Sequence, residues 1–412
     1  MREVKAAGTG NIKQENRMKK GNVINLKSVT ILGSLPPLRA LSSYCLAFSL
    51  AVSKLVKIEF ISFKHIYPSF LYPGGVLRND NTFPGIDKLT DIKIRRNISW
   101  FNPLSWIIEG VSTNGQLLHA QWWSPPLTFV YATVCALYKI RKKPVVITVH
   151  NIIQHEKRPL YDLYSRIIFK LGDHFIVHSK SNKDLLARLY GINPERVTQI
   201  PHGPLKFQHQ KDIDCEDAKV MIGLRPENRV VLVFGAIRPY KGVDIALEAF
   251  AEVVKEVPEA RLIVAGRLWE SWERYEKIII EKDIKDHILK HLHYIDTSEV
   301  AKYFMASDLV VLPYMRFNSQ SGVGATAVGF KKPLIVTKTG GLPELVINQE
   351  NAVPPGDAKA LSERIVFCLK NSPAMERMSE ESAAIAKKIS WDRVAEDTIA
   401  IYQRLLNEKM SG

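Results

Sequence analysis

Short apolar runs alternate with longer stretches whose apolar positions recur at helical spacing along most of the 412-residue chain. Ser28–Leu32 reads as a strand ending at Gly33, followed by a helix with Leu41, Tyr44, Cys45, Phe48 and Leu55 on or near one face. Val56–Phe63, Leu117–Trp123, Pro144–His150 and His174–Ser179 are further apolar strands with polar groups at their C-terminal ends. The second half repeats the pattern. Strand RVVLVFGAI (Arg229–Ile237) leads into helix KGVDIALEAFAEVVKEV (Lys241–Val257), strand Ala260–Gly266, helix Trp272–Lys282, strand His291–Ile295 and helix Ser298–Ala306. Strand Leu309–Tyr314, a short helix after Gly324 and strand Pro333–Thr337 follow. Near-continuous apolar strands alternating with helices predict buried parallel sheets. Two such sets predict an α/β protein of two doubly wound, Rossmann-like domains. The break falls at IPHGP (Ile200–Pro204), giving domains 28–203 and 204–391.

Charge sharpens this picture. Residues 1–200 hold 28 Lys and Arg against 12 Asp and Glu, so the basic excess lies entirely in the first half. Such asymmetry points to an anionic partner for that half, with a lipid surface and nucleic acid as candidates and a solvated surface as the plain alternative. No nucleic-acid motif accompanies the charge, which argues against that partner. Residues 1–27 read as a basic, disordered tail. The segment carries no apolar core of a signal peptide. The uncharged run Gly110–Tyr138 is broken by Asn114, His119, Gln121 and Pro125–Pro126, so no transmembrane helix is expected. Four scattered cysteines without a CxxC pair fit a reduced, cytoplasmic protein.

Ligands of open parallel sheets sit beyond the C-terminal strand ends, at helix N-termini. FGAIRPYKGVD (Phe234–Asp244) occupies such a place. Gly235 permits close backbone approach, and Arg238 and Lys241 fall three apart in the strand-to-helix turn. Arg forks onto phosphate oxygens and Lys adds a point charge, which suits a diphosphate. An exposed basic turn would read the same way, but a second loop of the same kind, QSGVG (Gln320–Gly324), also follows a strand and opens a helix.

GAIRPYKGVD, ARLIVAG, MASDLVVLPY, GFKKPLIVTKTGGLPELV and SWDRVAEDTIAIYQRLL, in that order between Val230 and Leu406, resemble the retaining GT-B glycosyltransferases of family 4, also called group 1. ILGSLPP, PVVITVHN, DHFIVHSKSNKDLL and IPHG resemble the acceptor domain of that family more loosely. The resemblance implies a GT-B fold with two domains facing a central cleft. It also implies an acceptor-binding first domain, a donor-binding second domain, and a last helix (about 392–412) returning to the first. Arg238 and Lys241 match the basic pair that holds the donor diphosphate. Gly33 matches the loop below the first strand near the donor phosphates, and His150 matches a histidine beside the transferred sugar or, alternatively, a strand cap. Gly235, Gln320, Ser321, Gly322, Val323 and Thr326 complete the expected donor site. Arg238, Lys241 and His150 are the expected catalytic groups.

The resemblance fails at one place. The family's Glu-x7-Glu pair falls on Asn318 and Thr326, and both carboxylates are missing. A subset of the family carries a similar QSGV loop in place of the first Glu, so neutral side chains and amides are expected to hold the sugar, with Thr326 offering a hydroxyl to the ribose. No cofactor or metal is expected. Asp212–Asp214 resembles a metal-binding DxD but lies in a polar stretch rather than at an apolar strand end, and reads as a loop or helix start. Trp122 and Trp123 are candidate acceptor platforms, with core packing as the alternative. The reading is therefore a hexosyltransferase using a nucleotide-diphosphate sugar and a lipid-linked or polysaccharide acceptor, peripheral on the inner membrane face. A sugar-nucleotide epimerase of the same architecture and a non-catalytic sugar-nucleotide binder are the alternatives.

Overall fold

The computed structural model describes residues 25–38, 41–66, 68, 89, 92–153, 160–205 and 213–411. Most of the expected basic tail lies outside these residues. The first domain comprises β1 (Ser28–Leu32), α1 (Ser42–Val52), β2 (Lys57–His65), β3 (Lys93–Ser99), α2 (Pro103–Ser112), β4 (Leu118–Trp122), α3 (Thr128–Ile140), β5 (Val145–Val149), α4 (Tyr161–Leu171), β6 (His174–Val177), α5 (Lys180–Tyr190) and β7 (Val197–Gln199). Its seven strands form one parallel sheet in the order β3-β2-β1-β4-β5-β6-β7.

The second domain comprises α6 (Cys215–Met221), β8 (Arg229–Phe234), α7 (Val243–Glu256), β9 (Ala260–Ala265), α8 (Glu273–Glu281), β10 (Ile288–His291), α9 (Val300–Ala306), β11 (Leu309–Leu312), α10 (Gly322–Gly329), β12 (Leu334–Thr337), β13 (Ala352–Val353), α11 (Ala358–Lys370) and α12 (Ser372–Lys388). Its six-stranded parallel sheet runs β10-β9-β8-β11-β12-β13. Both sheets are doubly wound, and each reverses its strand order once, between β1 and β4 and between β8 and β11. Those switch points open the crevices where ligands of such sheets bind.

Local chemistry explains the elements. The strands are runs of Val, Ile and Leu buried on both faces, as in β5 (VVITV) and β11 (LVVL). Helix α5 starts where the Ser179 hydroxyl accepts from Asn182 N–H, and it ends at Gly191 in the left-handed region (φ 65°). One strand differs from expectation: β10 is Ile288–His291, so only His291 of the expected His291–Ile295 run is paired. The last helix, α13 (Trp391–Ser411), packs on α1 of the first domain, with Lys54 Nζ 2.7 Å from Asp392 and Tyr402 OH 2.5 Å from His119 Nδ1. At its start the Trp391 indole N–H donates to Pro204 O across 2.7 Å, tying the helix to the interdomain connection.

The Tyr402 bond is buried at both ends. Tyr402→Phe leaves the His119 nitrogen unsatisfied, at a cost of about 1–3 kcal/mol. The midpoint of thermal unfolding is expected to fall by a few degrees, and an unchanged midpoint would show that this bond does not hold the helix.

Candidate active site

The crevice of the second domain is built around two glycines with positive φ. Gly235 (φ 102°) ends β8, and Gly242 (φ 66°) starts α7. A Cβ on Gly242 would lie 2.0 Å from Pro313 O, so the β8–α7 turn presses directly on the end of β11. That contact turns Lys241 toward Tyr314. Lys241 Nζ hydrogen-bonds the Tyr314 hydroxyl and lies 4.0 Å from the centroid of the same ring. The Tyr314 hydroxyl is 3.2 Å from Ser321 Oγ, which caps α10 by accepting from Gly324 N–H at 3.2 Å. A Cβ on Gly235 would lie 3.2 Å from Val323 and 3.9 Å from Lys241 Nζ. The two loops singled out by sequence therefore meet at one point. Arg238 stacks its guanidinium 3.4 Å from the Trp269 ring centroid beside them.

The electrostatics of this corner are one-sided. Among the described residues no carboxylate lies within ion-pair distance of Lys241. Burial, then the neighbouring Arg238 charge, push the Lys241 ammonium down to about 7 from the ordinary lysine range. The first amides of α10, at Gly322 and Val323, have no intrahelical acceptor and add the positive end of a helix dipole. The arrangement is chemically suited to an anion.

The first domain supplies the opposite wall. Ser319 Oγ donates to His150 O (3.0 Å), and Gln320 Oε1 accepts from His202 N–H (2.5 Å). Glu344 accepts from Lys180 N–H (2.9 Å), at the N-terminus of α5, and from the Gln199 amide (2.7 Å). Burial raises the Glu344 carboxyl above its ordinary range, while these two donors oppose the rise. Behind the wall, Tyr44 sits among His150, His178, His202 and Trp391, with ring centroids 4.6, 5.3, 4.9 and 5.2 Å away.

Burial lowers all the histidines of this network: His119 and His178 to about 3, His202 to about 4, and His150 well below its ordinary value. Neutral rings fix the direction of the hydrogen bonds. His178 Nδ1 donates to Ile200 O (2.9 Å), so its Nε2 accepts from His150 Nδ1 (3.0 Å). His150 Nε2, 3.0 Å from Gln121 Oε1, is then an acceptor, which requires the Gln121 amide to be turned so that its nitrogen faces the ring.

Structure thus brings together Gly235, Arg238, Lys241, Gln320, Ser321, Gly322 and Val323, with His150 in the facing wall. His150 offers its carbonyl to the loop, but both of its ring nitrogens are occupied within the first domain. Four expected site residues do not join the group. Gly33 is buried, with its N–H donating to Ile61 O. Thr326 is 2% exposed and its hydroxyl donates to Gly322 O of its own helix (2.7 Å), so it is not displayed to a ribose. Trp122 and Trp123 are core residues rather than platforms. Trp122 is fully buried against Tyr131, and Trp123 packs between Phe63 and Tyr131. Asp214 is the N-cap of α6, accepting from Asp217 N–H, while Asp212 lies outside the described residues. Sequence reasoning missed Tyr314, which positions Lys241, and the interdomain role of Glu344. The Tyr directly after LVVLP was the available signal for the first.

Residues 216–384 match the family model "Glycosyl transferases group 1", and residues 75–203 match "Glycosyltransferase Family 4". The chain carries the two domains of a GT-B glycosyltransferase. Among curated proteins it is similar to a D-inositol 3-phosphate glycosyltransferase of Segniliparus rotundus, 27% identical over 240 residues covering 57% of this chain and 53% of that protein. The enzyme of the same name from Mycobacterium marinum is 26% identical over 263 residues, covering 62% and 55%. The chain thus spans about half the length of these curated relatives. Among solved structures it is similar to sucrose-phosphate synthase from Thermosynechococcus elongatus (17% identity, TM-score 0.66, 92% of this chain and 99% of that one). The Anabaena protein HepE in complex with UDP is also similar (16% identity, TM-score 0.68, 91% and 99%).

The two kinds of glycine in this site separate by substitution. Gly242→Ala places a Cβ against Pro313 O at positive φ and is expected to cost about 1–3 kcal/mol of stability. Gly322 carries no positive φ, and its Cβ would meet only His202, at 3.6 Å. Gly322→Ala is therefore expected to stay within about 0.5 kcal/mol of the parent. Chemical denaturation of both variants checks the contrast, and equal losses would contradict this geometry.

Proposed function

We propose that the protein is a retaining, metal-independent glycosyltransferase that moves a hexose-type sugar from a nucleotide-diphosphate sugar to a lipid-linked, lipopolysaccharide or polysaccharide acceptor. The observation that carries this reading is the Lys241 ammonium, held against Tyr314 beside Arg238 with no carboxylate among the described residues within ion-pair distance. A diphosphate supplies the missing charge. The likeness to HepE, solved with UDP, supports a nucleotide ligand of that kind.

In the proposed reaction the bond between the sugar's anomeric carbon and the diphosphate oxygen breaks, and its electron pair goes to the leaving diphosphate. Arg238, Lys241 and the Gly322 and Val323 amides stabilise the growing negative charge. The acceptor hydroxyl attacks from the face the diphosphate leaves. Its oxygen bonds the anomeric carbon and its proton passes to a phosphate oxygen of the leaving group, so configuration is retained without a protein base. Gln320, fixed by His202, and the loop amides position the sugar in place of the absent carboxylates. The acceptor approaches from the first domain, whose basic surface suits an anionic membrane at the cytoplasmic face.

Incubation with UDP-, GDP- and ADP-sugars tests the donor. One nucleotide is expected to raise the unfolding midpoint and to be hydrolysed slowly without acceptor; no stabilisation by any of them would contradict the reading. Arg238→Ala and Lys241→Ala are each expected to lower kcat/KM for that donor about 10- to 100-fold with the fold retained. Transfer is expected to survive excess EDTA, and an absolute requirement for manganese or magnesium would contradict the metal-independent mechanism.

A further inference from the structure

A second recess lies at the far end of the second domain. The parallel strands of its sheet run toward the donor corner, so the starts of β8 and β11 and the turn from α10 into β12 gather at the opposite edge. Arg229 opens β8 and Gly235 follows its end, which sets the two places roughly 20 Å apart. Between this edge and the first two turns of α12 is an open cleft of about 490 Å³. That size suits a small molecule. Phe330 and Met375 give it an apolar wall. Arg229, Lys331 and Lys332 line it from the sheet side, and Glu376 lines it from α12.

The charges around the cleft do not cancel. Arg229 and Lys331 are exposed and make no ion pair among the described residues. Lys332 Nζ donates to Met305 O (3.1 Å), a carbonyl rather than a carboxylate. Asp308 also borders the cleft, but its oxygens are occupied by Lys219 Nζ at 3.1 Å and by the Val230 N–H at 2.7 Å. Three cations therefore face one free carboxylate, Glu376.

The turn that carries the two lysines is firmly held. The Ser379 and Ser382 hydroxyls of α12 donate to Lys331 O and Lys332 O, both at 2.7 Å. Lys331 sits just past the end of α10 in the left-handed region (φ 56°), where glycine is the usual residue. The last carbonyls of α10 already receive backbone donors, Val328 O from Lys331 N–H and Ala327 O from Lys332 N–H. Neither ammonium is needed to close the helix. Glycine would meet the backbone requirement at lower cost, so the sequence keeps a charge here against the local conformational preference.

We propose that this cleft binds a nucleoside monophosphate. Its phosphate lies among Arg229, Lys331 and Lys332. Its base packs on Phe330 and Met375, and its ribose hydroxyls donate to Glu376. The division of charge sets this class, because a ligand anionic at both ends would meet Glu376 on the α12 side. The cleft is separate from the donor corner, and the proposal does not rest on sugar transfer.

The test is isothermal titration calorimetry of the full chain with UMP, GMP, AMP and inorganic phosphate. Lys241→Ala, which disables the donor corner, separates the two places. In that variant one of the three nucleotides is expected to bind saturably, and inorganic phosphate to bind more weakly. Adding Arg229→Ser and Lys331→Ser, both at exposed positions, is expected to weaken the nucleotide at least about tenfold with the unfolding midpoint retained. Adding Glu376→Ala instead is expected to weaken the nucleotide but not inorganic phosphate. No saturable binding by Lys241→Ala overturns the proposal. So does nucleotide binding that the Arg229 and Lys331 changes leave unaltered, or binding of inorganic phosphate with no nucleotide bound. If no nucleotide-sugar binds the parent while this binding persists, the transferase reading fails and the cleft is upheld.

Discussion

The constraint on which the site depends is a cation, Lys241, that no carboxylate among the described residues neutralises. Lys241 is directed inward because Gly242 lets the β8–α7 turn press on Pro313, and Tyr314, the next residue, receives the ammonium. Among the described residues its hydrogen-bond partner is a phenol, and the charge that perturbs it is another cation, Arg238. Removing a lysine from water without an anion is unfavourable, so the corner is under electrostatic tension that an anionic ligand relieves. Ser321 and Val323 stand at the same point, which makes the QSGV loop part of the tension rather than a separate subsite.

The Glu-x7-Glu carboxylates of the resembled family are replaced in this chain by Asn318 and Thr326. In this chain the segment before α10 is held differently. Ser319 and Gln320 bond to the backbone of His150 and His202, and Glu344 bonds to the start of α5. The loop that meets Lys241 on one side is thus anchored to the first domain on the other. The histidines behind it are neutral through burial and form a directional chain from Tyr402 to Ile200. They act as a stiff wall, and protonation near neutral pH does not switch them.

Much of this was legible from sequence. Apolar strands alternating with helices gave two doubly wound sheets because parallel strands buried on both faces leave an unmistakable run of β-branched residues. Arg238 and Lys241 were legible because strand, glycine and basic turn come in a fixed order that places a ligand at a helix start. Trp122 and Trp123 were not, since a strand buried on both faces has no polar alternation to say which tryptophan reaches solvent. Thr326 was misread because spacing locates a residue on a helix but not the direction of its hydroxyl, and a threonine inside a helix commonly bonds the carbonyl four residues back. Helix α2 and strand β3 escaped the pattern for a physical reason as well. Strand β3 mixes Lys93, Arg95, Arg96 and Asn97 with its apolar positions, and helix α2 leaves Leu104, Ile107, Ile108 and Val111 exposed while Glu109, paired with Arg95 of β3, is buried. The role of Glu344 was not legible because its partners, Lys180 and Gln199, come from the other domain.

The central claim, that the donor diphosphate completes the charge of Lys241, has a direct thermodynamic signature. A lysine held near 7 is largely neutral at pH 8 in the free protein, and an adjacent diphosphate returns it to the ammonium form. Binding of the preferred nucleotide-sugar should then take up close to one proton at pH 8 and almost none at pH 6. Below 7 the group is already charged and affinity is flat; above 7 affinity falls as pH rises. Isothermal titration calorimetry in buffers of different ionisation enthalpy measures this uptake, with Lys241→Met as the control that should abolish it. Proton uptake at pH 8 that is lost in the variant is the result this account predicts. Tight binding at pH 8 with no proton taken up, or uptake that persists in Lys241→Met, would contradict it.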